Sequence, residues 1–272
     1  MRRHVDIFAG TIAEMTWPEV DKAAKDGAVL LWAFGVIEQH GPHLPTGTDV
    51  YLPSIRLRQV KRLLAVRGVQ ALIVPPYYWG VNEVSGSFPA SYRVRPSLMT
   101  ELMADVFESL ERDGFKRVFC ISGHGDALHN RTIYDGVRLG SSRTALRIRF
   151  LADEGLAARL DLQRDDPYVA TFPSARPRAS GILDVHAGRF ETGMMLCACA
   201  RLVRNDVRVG LKATAYGSAD LAEWRKGSEH ARRKTPLGYF GDPAAASAAE
   251  GRRVASGTAQ RITEVIEREL TR

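Results

Sequence analysis

"AVLLWAFGVIEQHGPHLPTGTD", residues 28–49, decides how the rest of the chain is read. Its first part, "AVLLWAFGVI" (28–37), is nearly continuous in apolar residues, as a strand buried on both faces requires. Its second part, "GVIEQHGPHLPTGTD", threads Glu38, His40, His43 and Asp49 on glycines and prolines directly after that strand. Strands buried on both faces belong to parallel sheets covered by helices, and such sheets bind ligands beyond the carboxyl ends of their strands. One stretch therefore predicts both a fold class and the edge of the sheet where chemistry sits.

Outward from it, "ALIVPP" (71–76), "RVFCISG" (117–123) and "LRIRFL" (146–151) repeat the strand signal. Between them, "VYLPSIRLRQVKRLLAVRG" (50–68) has a helical period and ends at a glycine. "SLMTELMADVFESLERDG" (97–114) sets Leu98, Leu102, Met103, Val106 and Leu110 on one stripe and also stops at glycine. Strand alternating with helix predicts an α/β fold, three-layer αβα with a mostly parallel central sheet and right-handed crossovers. Beyond residue 155, "QRDDPYVATFPSARPRASGILDV" (163–185) reads as a long irregular loop, "RFETGMMLCACARLV" (189–203) as a helix, and residues 216–243 as a second loop. A last helix is read over 244–270. No repeat, low-complexity tract or linker interrupts the chain, so residues 1–272 are read as a single domain.

Composition narrows the function classes. Apolar residues make up 45% and charged residues 25%, an ordinary globular balance. No apolar run is long enough to span a bilayer, and the N-terminus carries no signal peptide, so no membrane partner is expected. The net charge of +7 comes from 38 basic and 31 acidic residues, but the basic ones are scattered and no nucleic-acid motif accompanies them. Nucleic acid is therefore excluded as a partner. Cys120, Cys197 and Cys199 lie in apolar runs, an odd count that suits reduced thiols and a cytoplasmic protein.

Three separated segments deliver imidazoles and carboxylates to one sheet edge. Glu38, His40 and Asp49 follow the first strand, and His124, Asp126 and His129 in "SGHGDALHN" follow the third. His186 and Glu191 stand in "DVHAGRFETG" ahead of the 189–203 helix. Glu38 and His40 are two residues apart, so in an extended segment they face the same side. A carboxylate such as Asp49, carried back by a loop with Pro42, Pro45 and Gly47, can bridge two cations. Mixed imidazole and carboxylate ligation suits zinc, manganese or iron better than calcium. Two such ions about 3.5–4 Å apart can activate a water. A lone histidine at a strand end more often caps or faces solvent, but here several coincide at neighbouring strand ends.

At these residues the sequence resembles the creatininase family of metal-dependent amidohydrolases. "GVIEQHGPHLPTGTD" follows that family's G-x-x-E-Q-H-G-P-H-L-P-x-x-T-D, "SGHGD" its N-G-H segment, "HAGRFETG" its H-A-G-x-x-E-T-S segment, and "GYFGDP" its late G-x-x-G-D-P. The resemblance implies a three-layer αβα fold, two divalent metal ions per chain (zinc, manganese or iron) and a homo-oligomer, a hexamer. It makes Glu38, His40, Asp49 and His124 metal ligands, with Asp49 bridging, and His186 the acid/base beside the scissile bond. Glu191 joins His186 in the catalytic set, and either Glu191 or Asp126 completes the second metal. The chain departs from the pattern at Ser122 and Ala127, where the family has Asn, and at Ser85, Ala90 and Ser91, where it has His and Gly-Thr. Ser85, Tyr78, Trp79 and Trp224 are read as pocket residues.

The expected activity is metal-dependent hydrolysis of a C–N bond in a small or cyclic non-peptide amide other than creatinine. The alternatives are a deformylase or peptidase acting on a modified peptide, and a non-catalytic protein keeping a vestigial metal site.

Overall fold

A computed structural model describes residues 6–163, 165–174 and 181–272. Five strands form one parallel sheet: β1 (Val29–Phe34), β2 (Ala71–Tyr77), β3 (Arg117–Ser122), β4 (Arg147–Asp153) and β5 (Val169–Phe172), in the order β2-β1-β3-β4-β5. The helices among the described residues are α1 (Trp17–Lys25), α2 (Thr48–Val66), α3 (Pro96–Arg112), α4 (Ala127–Arg143), α5 (Glu154–Arg159), α6 (Arg189–Ala198), α7 (Asn205–Arg208), α8 (Ser218–Trp224), α9 (Ser228–Lys234) and α10 (Ala248–Leu270).

β1 lies between β2 and β3, with Leu30 paired to both Leu72 and Val118. Its side chains alternate between two cores, as the pleat demands. Leu30, Trp32 and Phe34 pack with Met99, Met103 and Phe107 of α3 and Ile133 and Val137 of α4. Val29, Leu31 and Ala33 pack with Leu57, Val60 and Leu64 of α2 and Ile262 and Ile266 of α10. The result is the three-layer αβα arrangement that the apolar runs predicted. The crossover helix α2 covers one face and α3 and α4 the other, so the chain changes face at the β1/β3 boundary, where such sheets bind ligands.

Two glycines shape that boundary. A Cβ on Gly35, just after β1, would stand 2.3 Å from the Asp49 carbonyl oxygen, and one on Gly123, just after β3, would stand 2.2 Å from it. Only bare backbone lets the first turn of α2 settle over both strand ends and bring Asp49 inward.

The structure corrects several sequence boundaries. β1 stops at Phe34 rather than Ile37, and Val36 instead makes an isolated antiparallel bridge to Trp79. The 163–185 stretch read as loop contains β5, a four-residue edge strand, and its residues 164 and 175–180 lie outside the described residues. The 216–243 stretch read as loop holds α8 and α9. The last helix begins at Ala248, where the Ser247 side chain caps it by accepting from the Glu250 N–H. Among the described residues, no helix is long and apolar enough to cross a membrane.

Candidate metal centre

Beyond Gly35 the chain runs extended, and the Glu38 N–H donates to the Thr46 carbonyl at 3.0 Å, closing the loop on itself. Glu38 and His40 point to one side, toward Asp49 in the first turn of α2. Asp49 spreads its carboxylate between two imidazoles: Oδ1 lies 3.2 Å from His40 Nε2 and Oδ2 lies 2.8 Å from His124 Nδ1. His124 Nδ1 is also 3.0 Å from Glu38 Oε1, and His40 Nε2 is 4.0 Å from Glu191 Oε2. Ligand atoms of Glu38, Asp49 and His124 lie within 4.8 Å of one another, as do those of His40, Asp49 and Glu191 and those of Glu38, His40 and His186. Glu38, His40 and Asp49 are 2%, 0% and 1% exposed, so solvent does not account for their polarity.

The donor set fits divalent cations. His40 Nδ1 faces the Glu38 carbonyl at 3.1 Å and so carries its proton there, which leaves the Nε2 lone pair aimed at the Asp49 carboxylate. Two acceptors facing each other in a buried site repel unless positive charge lies between them. In the metal-free chain that charge is a proton. Burial works against an imidazolium at His40, but Asp49, Glu38 and Glu191 overcome it and push its pKa up to about 10. Burial likewise opposes a charged His124, and Glu38 and Asp49 raise it well above its usual range. Burial would raise the Asp49 carboxyl, yet His40 and His124 hold it far below the normal carboxylate range. Metal would replace those protons, because ligating imidazoles are neutral.

His43, three residues on, has the opposite fate. Its Nε2 meets the Thr192 hydroxyl at 2.8 Å, and burial, aided by His40, Arg208 and His186, lowers its pKa to about 4. His129 is also turned away, with Nδ1 accepting from the Val81 N–H at 3.2 Å.

The segment carrying His186 and Glu191 is assembled differently. His186 bridges Phe240, with the His186 N–H donating to the Phe240 carbonyl at 3.2 Å and the Phe240 N–H returning a bond of 2.8 Å. Two residues before it, the half-buried Asp184 carboxylate accepts from the backbone N–H groups of Arg189, Phe190 and Asp242. Burial nevertheless raises its pKa to about 6. The Glu191 carboxylate, at the start of α6, accepts from the Ala187 N–H at 2.5 Å. His186 Nε2 lies 2.8 Å from the Gln39 carbonyl, which favours a proton on Nε2, and Nδ1 faces Glu38 Oε1 at 3.7 Å.

The structure brings together Glu38, His40, Asp49, His124, His186 and Glu191. Asp126 stands apart from these sets: Oδ1 caps α4 by accepting from the Leu128 and His129 N–H groups at 2.7 and 3.2 Å, and Oδ2 accepts from the Glu83 N–H at 3.1 Å. Ser85 touches Glu38 Oε2 through its hydroxyl. Trp224 packs its ring 5.8 Å from that of His186 and donates Nε1–H to the Thr235 hydroxyl at 3.1 Å. Trp79 lies between Tyr78 and Tyr92, with ring centroids 5.2 and 5.8 Å away and the planes tilted, in a partly exposed aromatic row. Sequence reasoning missed Gln39, Asn82, Asp184 and Thr192, which hold the set. Only Asp184 carried a usable signal, an acid just ahead of a glycine-led helix start.

Comparison with known proteins agrees with this geometry. The family model described as "Creatininase: Creatinine amidohydrolase" matches residues 13–266. A "Mycofactocin precursor peptide peptidase" of Mycobacterium ulcerans is 29% identical over 88% of this chain and 80% of that protein. A "Creatinine amidohydrolase" of Pseudomonas putida is 26% identical over 72% and 74%. Among solved structures, "Creatininase Mn" superposes with a TM-score of 0.72 at 21% identity, covering 96% of this chain and 98% of that one. A mutant creatininase of "Zn-Zn type" gives 0.72 at 23%, covering 95% and 97%. With the fold and a family match spanning nearly the whole sequence in agreement, the chain belongs to the creatininase family.

Proposed function

We propose that this protein is a dinuclear-metal-dependent amidohydrolase acting on a C–N bond of a small or cyclic non-peptide amide other than creatinine. The observation that carries the reading is Asp49, whose two oxygens each address a different histidine. A carboxylate so placed could serve an ion on either side. His40, Asp49 and Glu191 would hold one divalent ion and Glu38, Asp49 and His124 the other, zinc or manganese by the mix of donors. When bound, such ions polarise a carbonyl and make water acidic near neutral pH.

The remaining work falls to the chain. His186, with Nε2 held by the Gln39 carbonyl, offers Nδ1 as the atom that takes a proton and passes it to the leaving nitrogen. The Gln39 backbone carbonyl and the Trp224 ring fix that imidazole from two sides. The deep burial of Glu38, His40 and Asp49 excludes bulk water and favours a small substrate.

A second reading, trimming of a modified peptide, is favoured by the similarity to the mycobacterial peptidase across most of both chains. A hydrolysis screen of metal-replete protein separates the two. Cyclic ureas, lactams, imides and formamides are assayed beside creatinine and a set of short peptides. Turnover of one of the non-creatinine small amides well above creatinine and the peptides supports the proposal. Preference for creatinine or a peptide overturns it.

A further inference from the structure

The two oxygens of Glu38 have different partners. Oε1 lies 3.0 Å from His124 Nδ1 and 3.7 Å from His186 Nδ1, whereas Oε2 accepts from the Ser85 hydroxyl. Ser85 is 1% exposed and is itself held. Its N–H donates to Asn82 Oδ1 at 3.3 Å, and its hydroxyl lies 2.9 Å from the same Oδ1 and 3.3 Å from Ser91 Oγ. Ser91 Oγ in turn accepts from the Gln39 N–H at 3.0 Å. The Ser85 hydroxyl thus has one proton and three acceptors in reach, and the nearest, the charged Glu38 oxygen, takes it. A charge-assisted bond of this kind is strong in a buried setting. The loop that carries Ser85 is tied down by Asp126, which receives the Glu83 N–H at 3.1 Å.

We infer that Ser85 is a positioning residue: its hydroxyl, held beside Asn82 and Ser91, locks the Glu38 carboxylate so that Oε1 alone is presented to an ion beside His124. This rests on the metal-centre reading given above. Ser85, which looks like an altered substrate contact in the sequence, then acts on the metal set. Free rotation of Glu38 would let both oxygens compete for the ion and for the imidazoles, and the ordered ligand would be lost.

The test is calorimetric titration of manganese and, separately, zinc into metal-stripped wild type, Ser85→Ala, Ser85→Thr and Ser85→Cys. Ser85→Ala is expected to lose roughly 10–100-fold in affinity for one of two ions, Ser85→Thr to stay within about threefold, and Ser85→Cys, whose thiol is a weak donor, to fall between them. At saturating metal, kcat of Ser85→Ala falls and KM stays. Wild-type affinity in Ser85→Ala, or a raised KM with unchanged metal affinity, overturns the inference. If Ser85→Ala does not fold, Ser85→Cys decides alone: weakened affinity supports the inference and wild-type affinity overturns it. If wild type itself takes up no metal, the metal-centre reading and this inference fall together. If wild type binds metal and the variants bind it equally well, only this inference falls.

Discussion

Between Gly35 and Asp49 the chain leaves one parallel strand, closes a short loop and starts a helix whose first turn rests on bare glycine backbone. The end of β1, a loop closed by the Glu38–Thr46 hydrogen bond and the first turn of α2 aim Glu38, His40 and Asp49, and the segment just after β3 adds His124. Between Asp184 and Asp242 no sheet strand is present, and the same task is done by polar contacts between loops. The His186–Phe240 bridge, the Asp184 carboxylate among three N–H groups and the Thr235–Trp224 bond stand in for a strand end. One region hangs its ligands from strand ends and a helix start, the other from hydrogen bonds between loops. The first should therefore govern whether metal is held, and the second what is done with a proton.

The sharpest way to break that division is Asp49→Asn. It removes the charge shared by His40 and His124, and elemental analysis should find bound metal falling from close to two ions per chain toward none. Retained metal would mean that Asp49 is not the bridge. His186→Ala should do the reverse. Its kcat is expected to drop by roughly 10²–10⁴-fold with metal content unchanged, measured by steady-state kinetics beside the same elemental analysis. Metal lost with His186 would merge the two regions into one.

The division also explains what the sequence made legible. β1, β3 and most of β2 were readable because strands buried on both faces must be apolar throughout, and Glu38, His40, Asp49 and His124 were readable because they stand at fixed offsets from those strands. β5 was not, since four residues at a sheet edge between prolines and charges carry too little periodicity. α4 did not stand out because Gly136 and Gly140 interrupt its pattern, although both are there to admit Met103 and Phe107 of α3. Ser85 was legible only as a departure from the family pattern. Its contact with Glu38 depends on how the 81–92 loop folds back, and that path follows from Asp126 and Glu83 rather than from any local pattern.

A milder variant tests whether the second region depends on packing at its rim. α6 and α10 cross so closely that a Cβ on Gly251 would stand 2.0 Å from the Gly193 carbonyl oxygen, two residues beyond Glu191. Gly251→Ala should cost about 1–3 kcal/mol of stability as the helices part, read by urea unfolding. It should loosen the ion beside Glu191 while leaving the other in place. Equal weakening of both ions would show that the two regions are not mechanically separate.

The last expected effect is a pair of slopes, and it divides the first region internally. His40 and His43 are three residues apart, yet one faces carboxylates and the other Thr192. In metal-stripped protein the folded pKa of His40 is about 10 against an ordinary 6.5, so the folded state holds a proton that the unfolded chain releases. That stabilisation is complete below pH 6.5 and fades as pH rises toward 10. His124, also raised, adds to the same alkaline decline. His43 runs the other way. With a folded pKa of about 4 it stays neutral while the unfolded chain takes up a proton, so its contribution is present above pH 6.5 and is lost as pH falls through 4. Asp184, raised to about 6 in the folded state, works against His43 between pH 6 and 4. Urea unfolding of metal-stripped protein should therefore show the decline above pH 6.5, and His43 is read on the acid limb as the difference between wild type and His43→Gln, because glutamine can still bond Thr192 but cannot titrate. Metal should flatten the alkaline limb and steepen the acid one, because imidazoles held neutral by the ions keep no proton above pH 6.5 and take up none below it, whereas the unfolded chain does. An acid limb unchanged by His43→Gln, or an alkaline limb unchanged by metal, would show that the two histidines do not divide the loop as their neighbours indicate.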